Sequence, residues 1–245
     1  MPDLKPEYSR FDAPVHPQAE DKEAYVEHMF DEVSPTYDLA NRLMSLGVDK
    51  LWRRRLVREA GLGRGAAALD VCTGTGEVLF SFARQVPDLQ GTGLDFSAKM
   101  LELARAKDCW GLSWVKGSAL ELPFQAGSFD SASMAYGLRS ITDPSLAFAE
   151  MARVLKPGGR ALCLELTRPR GLAGLLYWPV LNAYVPIVGA LLSGHRDAYR
   201  YLRDTIKQFY EPSQVLEFMA SAGLVEVRAI PLTLGSATLF VGRKA

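Results

Sequence analysis

Cysteine and histidine are scarce in this chain, with three of each in 245 residues. Cys72, Cys109 and Cys163 are odd in number, stand far apart and have no metal-ligand spacing. Neither a disulfide framework nor a zinc site is therefore expected, and the pattern fits a reduced, cytoplasmic compartment. Net charge is missing as well: 28 Lys and Arg balance 28 Asp and Glu. Bulk electrostatics thus gives no reason to expect nucleic acid as a partner. The basic triplet Arg53-Arg54-Arg55 reads as a solvated helix face. No repeat or low-complexity tract appears. The N-terminus has no apolar run of the targeting kind, so residues 1–24 are expected to form a flexible arm and 25–245 one domain. The last absence is local: Gly171 to Gly194 is a stretch of 24 residues without a charge. Its length alone nominates a membrane span. Pro179, Pro186 and Asn182 argue against a straight helix, since each proline removes a helical hydrogen bond. A broken, buried helical pair or a membrane-surface lid is expected instead, within an insertion covering about 168–208.

Elsewhere the chain alternates apolar runs of strand length with amphipathic helices. Residues 25–60 read as helical with a break at Ser34-Pro35. Strands are expected at 67–72, 90–94, 112–116, 129–135 and 160–166. The helices between them cover 77–85, 97–107 (capped by Ser97) and 145–155. Lys156-Pro157-Gly158-Gly159 reads as a sharp helix stop. A helix at 213–222 and a closing hairpin at 225–230 and 237–241 follow. Five strand–helix alternations imply a doubly wound, parallel α/β sheet. In such sheets ligands bind past the carboxyl ends of the strands, near the switch in strand order.

The residues at those ends carry the chemistry. Asp70 leads into Cys72-Thr73-Gly74-Thr75-Gly76, a glycine turn that lets bare backbone approach a ligand. Asp95 ends the next strand, placed to accept hydrogen bonds from ribose hydroxyls. A dinucleotide fingerprint needs a third glycine at position 79, where leucine stands. The D-x-x-x-G-x-G form, with no pyrophosphate to cradle, fits S-adenosylmethionine better. Phe96 can lie against an adenine or pack in the core. Ser118-Ala119 can meet the adenine amino group or form a simple loop. Arg139, after the fourth strand, can hold an oxyanion or sit at the surface against Asp143. Tyr37, Asp38, Asn41 and Arg42 also read as ordinary helix polar groups, and His195 and Glu165 are not specific by spacing.

Further blocks carry a resemblance. Tyr37-Asp38-Leu39-Ala40-Asn41-Arg42-Leu43-Met44-Ser45-Leu46-Gly47 with Leu51-Trp52-Arg53 is one. Leu122-Pro123-Phe124, Ser128-Phe129-Asp130 and Tyr136-Gly137-Leu138-Arg139-Ser140-Ile141-Thr142-Asp143 are others. Arg153 to Gly159, Leu164-Glu165 and Ala198-Tyr199-Arg200-Tyr201-Leu202 complete the set. Together they resemble the ubiquinone/menaquinone biosynthesis C-methyltransferases over about residues 25–243. The sequence departs from that pattern at Tyr210, at Phe240 and at Tyr136, where proline, histidine and phenylalanine are usual.

The resemblance implies a Rossmann-like class I methyltransferase with a seven-stranded sheet and a helical insertion after the fifth strand. It implies methyl transfer from S-adenosylmethionine to a ring carbon of a polyprenyl quinol. Cofactor positions carry over to Thr75, Asp95, Ser118 and Ala119. Arg139 and Tyr37, with Asp95, become the candidates for activating the ring. Peripheral membrane contact through 171–194 is expected from the lipid substrate. A homodimer and the choice between naphthoquinol and benzoquinol stay open.

Overall fold

A computed structural model describes residues 29, 31–32, 34, 37–169, 171–184 and 196–245. The expected arm at 1–24, the first part of the expected 25–60 helix, the 185–194 part of the apolar run and His195 lie outside these residues. The chain enters through α1 (Tyr37–Met44) and α2 (Asp49–Ala60). The break between them falls at Ser45–Val48; Pro35 of the expected break at Ser34-Pro35 lies outside the described residues. Leu46 and Gly47 there take left-handed backbone conformations (φ 51° and 77°) that stop the helix.

The alternating core follows as β1 (Ala67–Val71), α3 (Glu77–Ala83), β2 (Gln90–Asp95), α4 (Ala98–Lys107), β3 (Ser113–Lys116), β4 (Phe129–Ala135), α5 (Pro144–Val154) and β5 (Leu155–Leu166). Caps fix the helix starts. The Ser97 hydroxyl accepts from the Met100 N–H at 3.1 Å, and Asp143 accepts from the Leu146 N–H at 3.0 Å, with Pro144 in the first turn. Lys156 to Gly159 does not form a loop. The chain leaves α5 at Val154 directly into β5, and the glycines sit where the pairing with β4 slips register. The insertion contributes α6 (Gly171–Pro179), a π-helical turn (Val180–Tyr184) and α7 (Arg196–Gln208). Of the expected pair, only the first helix is described, and it is not fully buried: Leu172 and Leu175 are 82% and 69% exposed. No described helix is long and apolar enough to cross a membrane. α8 (Pro212–Ser221), β6 (Leu224–Leu232) and β7 (Ala237–Lys244) close the chain.

The seven strands lie in the order β3-β2-β1-β4-β5-β7-β6. β1 to β5 are parallel, and β7 enters antiparallel between β5 and β6. Helices cover both faces, so inner strands are apolar on both sides. β5 shows the two-residue period. Ala161 and Cys163 join the core under α5 and α8, around Phe148, Met151 and Met219. Leu162 and Leu164 join the opposite core under α2 and α3, around Leu56 and Phe82. The strand order reverses between β1 and β4. Their carboxyl ends, Cys72 to Gly76 and Tyr136 to Arg139, therefore flank the crevice where an α/β sheet takes its ligand.

Candidate active site

Two cavities open at that crevice. The smaller, about 90 Å³, is walled by Asp95, Phe96, Gly117, Ser118 and Ala119 on one side and by Gly74 and Tyr37 on the other. The larger, about 840 Å³, runs from Asp70 and Thr75 to Arg139, Tyr177 and Tyr201, and is of a size that takes a whole organic ligand. Tyr37, Cys72, Gly74, Ala135, Tyr136 and Ser140 line both.

The backbone at the divide is unusual. Cys72 and Tyr136, each the first residue after the β1 and β4 ends, are non-glycine residues with φ of 53° and 60°. Such strain persists only where surrounding structure enforces it, and it gathers at functional sites. The two loops touch: a Cβ on Gly137 would lie 2.7 Å from the Cys72 Cβ. Gly74 (φ 54°) has open space where a side chain would stand, so its bare backbone faces the cavities. Gly76 (φ 86°) is fixed by packing, since its Cβ would lie 2.7 Å from the Trp114 ring.

Two buried carboxylates sit beneath this turn. Asp95 accepts from the Gly74 N–H at 2.7 Å and from the Ser97 N–H at 3.0 Å. Burial nevertheless raises its pKa to about 6, against the pull of those bonds. The carboxylate keeps acceptor capacity for a ligand hydroxyl beyond these bonds. Asp70 accepts the Ser133 hydroxyl at 2.6 Å and the Thr73 hydroxyl at 2.7 Å, and burial pushes its pKa to about 7. The Thr75 hydroxyl is turned to the entrance. It donates to Asp38 of α1 at 2.6 Å, and Lys107 bridges Asp38 and Glu77 over the same spot. From the segment before α1, the Asp31 carboxylate accepts the Ser97 hydroxyl at 2.7 Å. α1 and its lead-in thus lie across the glycine turn.

Arg139 does not sit at the surface against Asp143. Its guanidinium donates to Glu165, which is fully buried at the end of β5 and also accepts the Arg139 N–H at 3.2 Å. Burial works against the arginine charge, but Glu165 outweighs it and holds the pKa above the ordinary value. Three phenols surround it: Tyr37 from α1, Tyr177 from α6 and Tyr201 from α7. Burial raises the pKa of all three, and the Arg139 charge pulls each part of the way back. The result is a fixed, carboxylate-paired cation shielded from bulk solvent, where electrostatic interactions are strong.

A scan of family models matches residues 18–244 to the ubiE/COQ5 methyltransferase family. Curated relatives agree over most of the chain. The demethylmenaquinone methyltransferase of Deinococcus radiodurans is 39% identical over 229 residues, covering 92% of this chain and 95% of that one. That of Thermus thermophilus is 40% identical, covering 87% and 99%. This chain belongs to the ubiE/COQ5 methyltransferase family. The ubiquinone/menaquinone biosynthesis C-methyltransferase UbiE of Geotalea uraniireducens is 38% identical, covering 89% of this chain and 96% of that one. Solved structures share the fold at lower identity. SAM-dependent methyltransferases from Thermotoga maritima (TM-score 0.59, 21% identity, covering 89% and 99%) and Aquifex aeolicus (0.58, 17%, 79% and 89%) both superpose.

As a member of this family the chain is an S-adenosylmethionine-dependent methyltransferase with the Rossmann-like class I fold. The residues present fit that cofactor. Open space over Gly74, two acceptor oxygens on Asp95 and the half-buried Phe96 ring beside Ser118 and Ala119 surround one small cavity. Every expected site residue except Gly76 lines one of the two cavities. Four groups of the site have no assignment from the sequence alone. Glu165 had no assignment, yet as a lone acid closing an apolar strand it was a visible signal. Tyr177 and Tyr201 come from the insertion, where periodicity gave no hint of direction. Arg53 belongs with them. It is buried and paired with Asp49 at 2.5 Å, not solvated, while its neighbour Arg54 is exposed. Asp49, Trp52, Arg53, Leu56, Val57 and Ala60 form one helical stripe, and Arg53 lies on it.

Proposed function

We propose that this chain methylates a ring carbon of a reduced polyprenyl quinol, demethylmenaquinol foremost, with Arg139 as the group that activates the ring. The observation that carries this reading is a buried arginine, fixed by Glu165 and ringed by phenols, in a large cavity that shares Tyr37, Gly74 and Tyr136 with the smaller one. Bound S-adenosylmethionine supplies a methyl group on a sulfonium sulfur, already a strong electrophile. The chain's work is therefore alignment and activation of the nucleophile. A quinol hydroxyl has a pKa of about 10 in water. Beside Arg139 the phenolate is favoured, its proton passing to solvent; its charge spreads to the adjacent ring carbon, which takes the methyl and gives up its own proton to solvent as the ring regains aromaticity. Tyr37, held by Asn41 and facing Arg139, fixes the ring oxygen. An oxidised quinone offers no such electron density.

The large cavity also explains the insertion. Arg42, Lys50 and Arg54 stand exposed at its mouth beside Leu46, which is 75% exposed. The Tyr184 hydroxyl donates to the Leu43 carbonyl at 3.0 Å, so the insertion packs on α1 next to that mouth. Exposed leucines with a basic fringe fit peripheral contact with an anionic membrane surface, where an isoprenoid substrate resides.

The test is transfer of labelled methyl from S-adenosylmethionine to reduced demethylmenaquinol, with the oxidised quinone alongside. Label in menaquinol from the reduced compound alone is the expected result. Cofactor binding with no label in either naphthoquinol or benzoquinol leaves the family standing and removes the substrate. A tail-length series tests the cavity: equal rates for tailless and long-tailed quinols contradict its role.

A further inference from the structure

Tyr136 leaves β4 in a left-handed conformation and lines the large cavity together with Arg139, Arg53 and Asp49. Its hydroxyl oxygen is buried and, among the described residues, has no hydrogen-bond partner. A buried hydroxyl in that condition destabilises the fold unless a ligand satisfies it, so it marks a contact point. The charged groups around it come from two sides: Arg53 and Asp49 from α2, Glu165 and Arg139 from the sheet end. Arg53 is itself held rigidly. One nitrogen donates to Asp49 at 2.5 Å, and Asp49 also accepts the Ser45 hydroxyl at 2.8 Å. Its other terminal nitrogen is 3.6 Å from Glu77, beyond hydrogen-bond length, and so keeps donor capacity. Beside Tyr136 the Arg53 charge is offset by Asp49 at 2.5 Å, whereas Arg139 stands at the sheet end. This corner of the cavity therefore offers fixed donors with the nearest cation already paired, which suits a neutral hydroxyl better than a carboxylate or phosphate.

We propose that the Tyr136 hydroxyl, with Arg53 beside it, binds the second ring oxygen of the substrate, para to the oxygen held at Arg139, and so makes the cavity selective for a diol over a mono-phenol. This rests on the quinol reading above. Burial keeps the Tyr136 phenol protonated, so it both donates to and accepts from a ring hydroxyl. A site built to hydrogen-bond a hydroxyl rejects the analogue without it, because its buried polar groups are then left unpaired.

The experiment compares kcat/KM for reduced demethylmenaquinol with that for a prenylated naphthol. The naphthol keeps the hydroxyl next to the accepting carbon and has none para to it. Wild type is expected to favour the quinol by about tenfold or more, and Tyr136→Phe to bring the ratio close to one. Arg53→Lys keeps the charge and gives up the planar fork, and is expected to lower the ratio as well. A purely structural role for Tyr136 lowers both rates together and leaves the ratio unchanged, which overturns the proposal. Wild-type turnover on neither compound overturns the quinol reading first, and this inference with it.

Discussion

The Asp95 carboxylate takes backbone N–H groups of Gly74, Phe96 and Ser97 and still has a pKa of about 6, because burial outweighs these bonds. In the proposed cofactor role it is the anion, not the acid, that offers acceptors to ribose hydroxyls. Cofactor affinity is therefore expected to hold above about pH 6 and to weaken as pH falls through it, and Asp95→Asn to lower affinity about 10- to 100-fold at neutral pH and flatten the profile. Titration calorimetry across that window reads it, and a flat wild-type profile contradicts it. Asp70 behaves differently, because the cost of its charge falls on folding. Its pKa of about 7 lies above the ordinary carboxylate value, so the folded chain binds a proton that the unfolded chain has released. Its contribution favours folding at low pH and is lost as pH rises toward 7, leaving a full penalty above that. Asp70→Asn removes the penalty while Ser133 and Thr73 can still reach the amide. Its melting temperature is expected to match wild type near pH 4 and to exceed it increasingly toward pH 8. A difference that stays constant with pH contradicts this.

Among the elements, α6 is where sequence and structure part most instructively. An uncharged run reads equally as core, membrane span or surface, because hydropathy carries no information on what lies across from a side chain. Leu172 and Leu175 face outward, whereas Tyr177 on the same helix lines the cavity and faces Arg139. Exchanging both leucines for glutamate is expected to lower turnover of a long-tailed quinol in anionic vesicles by about tenfold and to leave a soluble short-tailed quinol little changed. Equal effects on both substrates contradict a surface role. The core elements were far more legible. Strands such as Phe129–Ala135 and the Ser97 cap follow from alternation and capping chemistry alone. Lys156 to Gly159 misled because glycine and proline mark bulges in strands as readily as helix stops.

At the level of the whole molecule, topology does most of the assembling. Residues from β1, β2, β4 and β5, scattered from position 70 to 165, meet because parallel strands end on one edge and their order reverses between β1 and β4. That is why the proposed cofactor half of the site is legible in the chain. Asp70, the glycine turn and Asp95 are all strand-end residues. The substrate half was less legible, since Glu165, Arg53, Tyr177 and Tyr201 gain meaning only through long-range partners. Arg139 stands where the two halves join, and the most direct measurement addresses it. Replacing Arg139 and Glu165 together by glutamine avoids stranding one buried charge. Cofactor binding and single-turnover methyl transfer to reduced demethylmenaquinol are then measured in the same sample. Binding within about threefold of wild type with transfer slowed between about a hundredfold and ten-thousandfold is expected for an activating group. Transfer within about threefold of wild type, with binding intact, contradicts activation of the ring by Arg139.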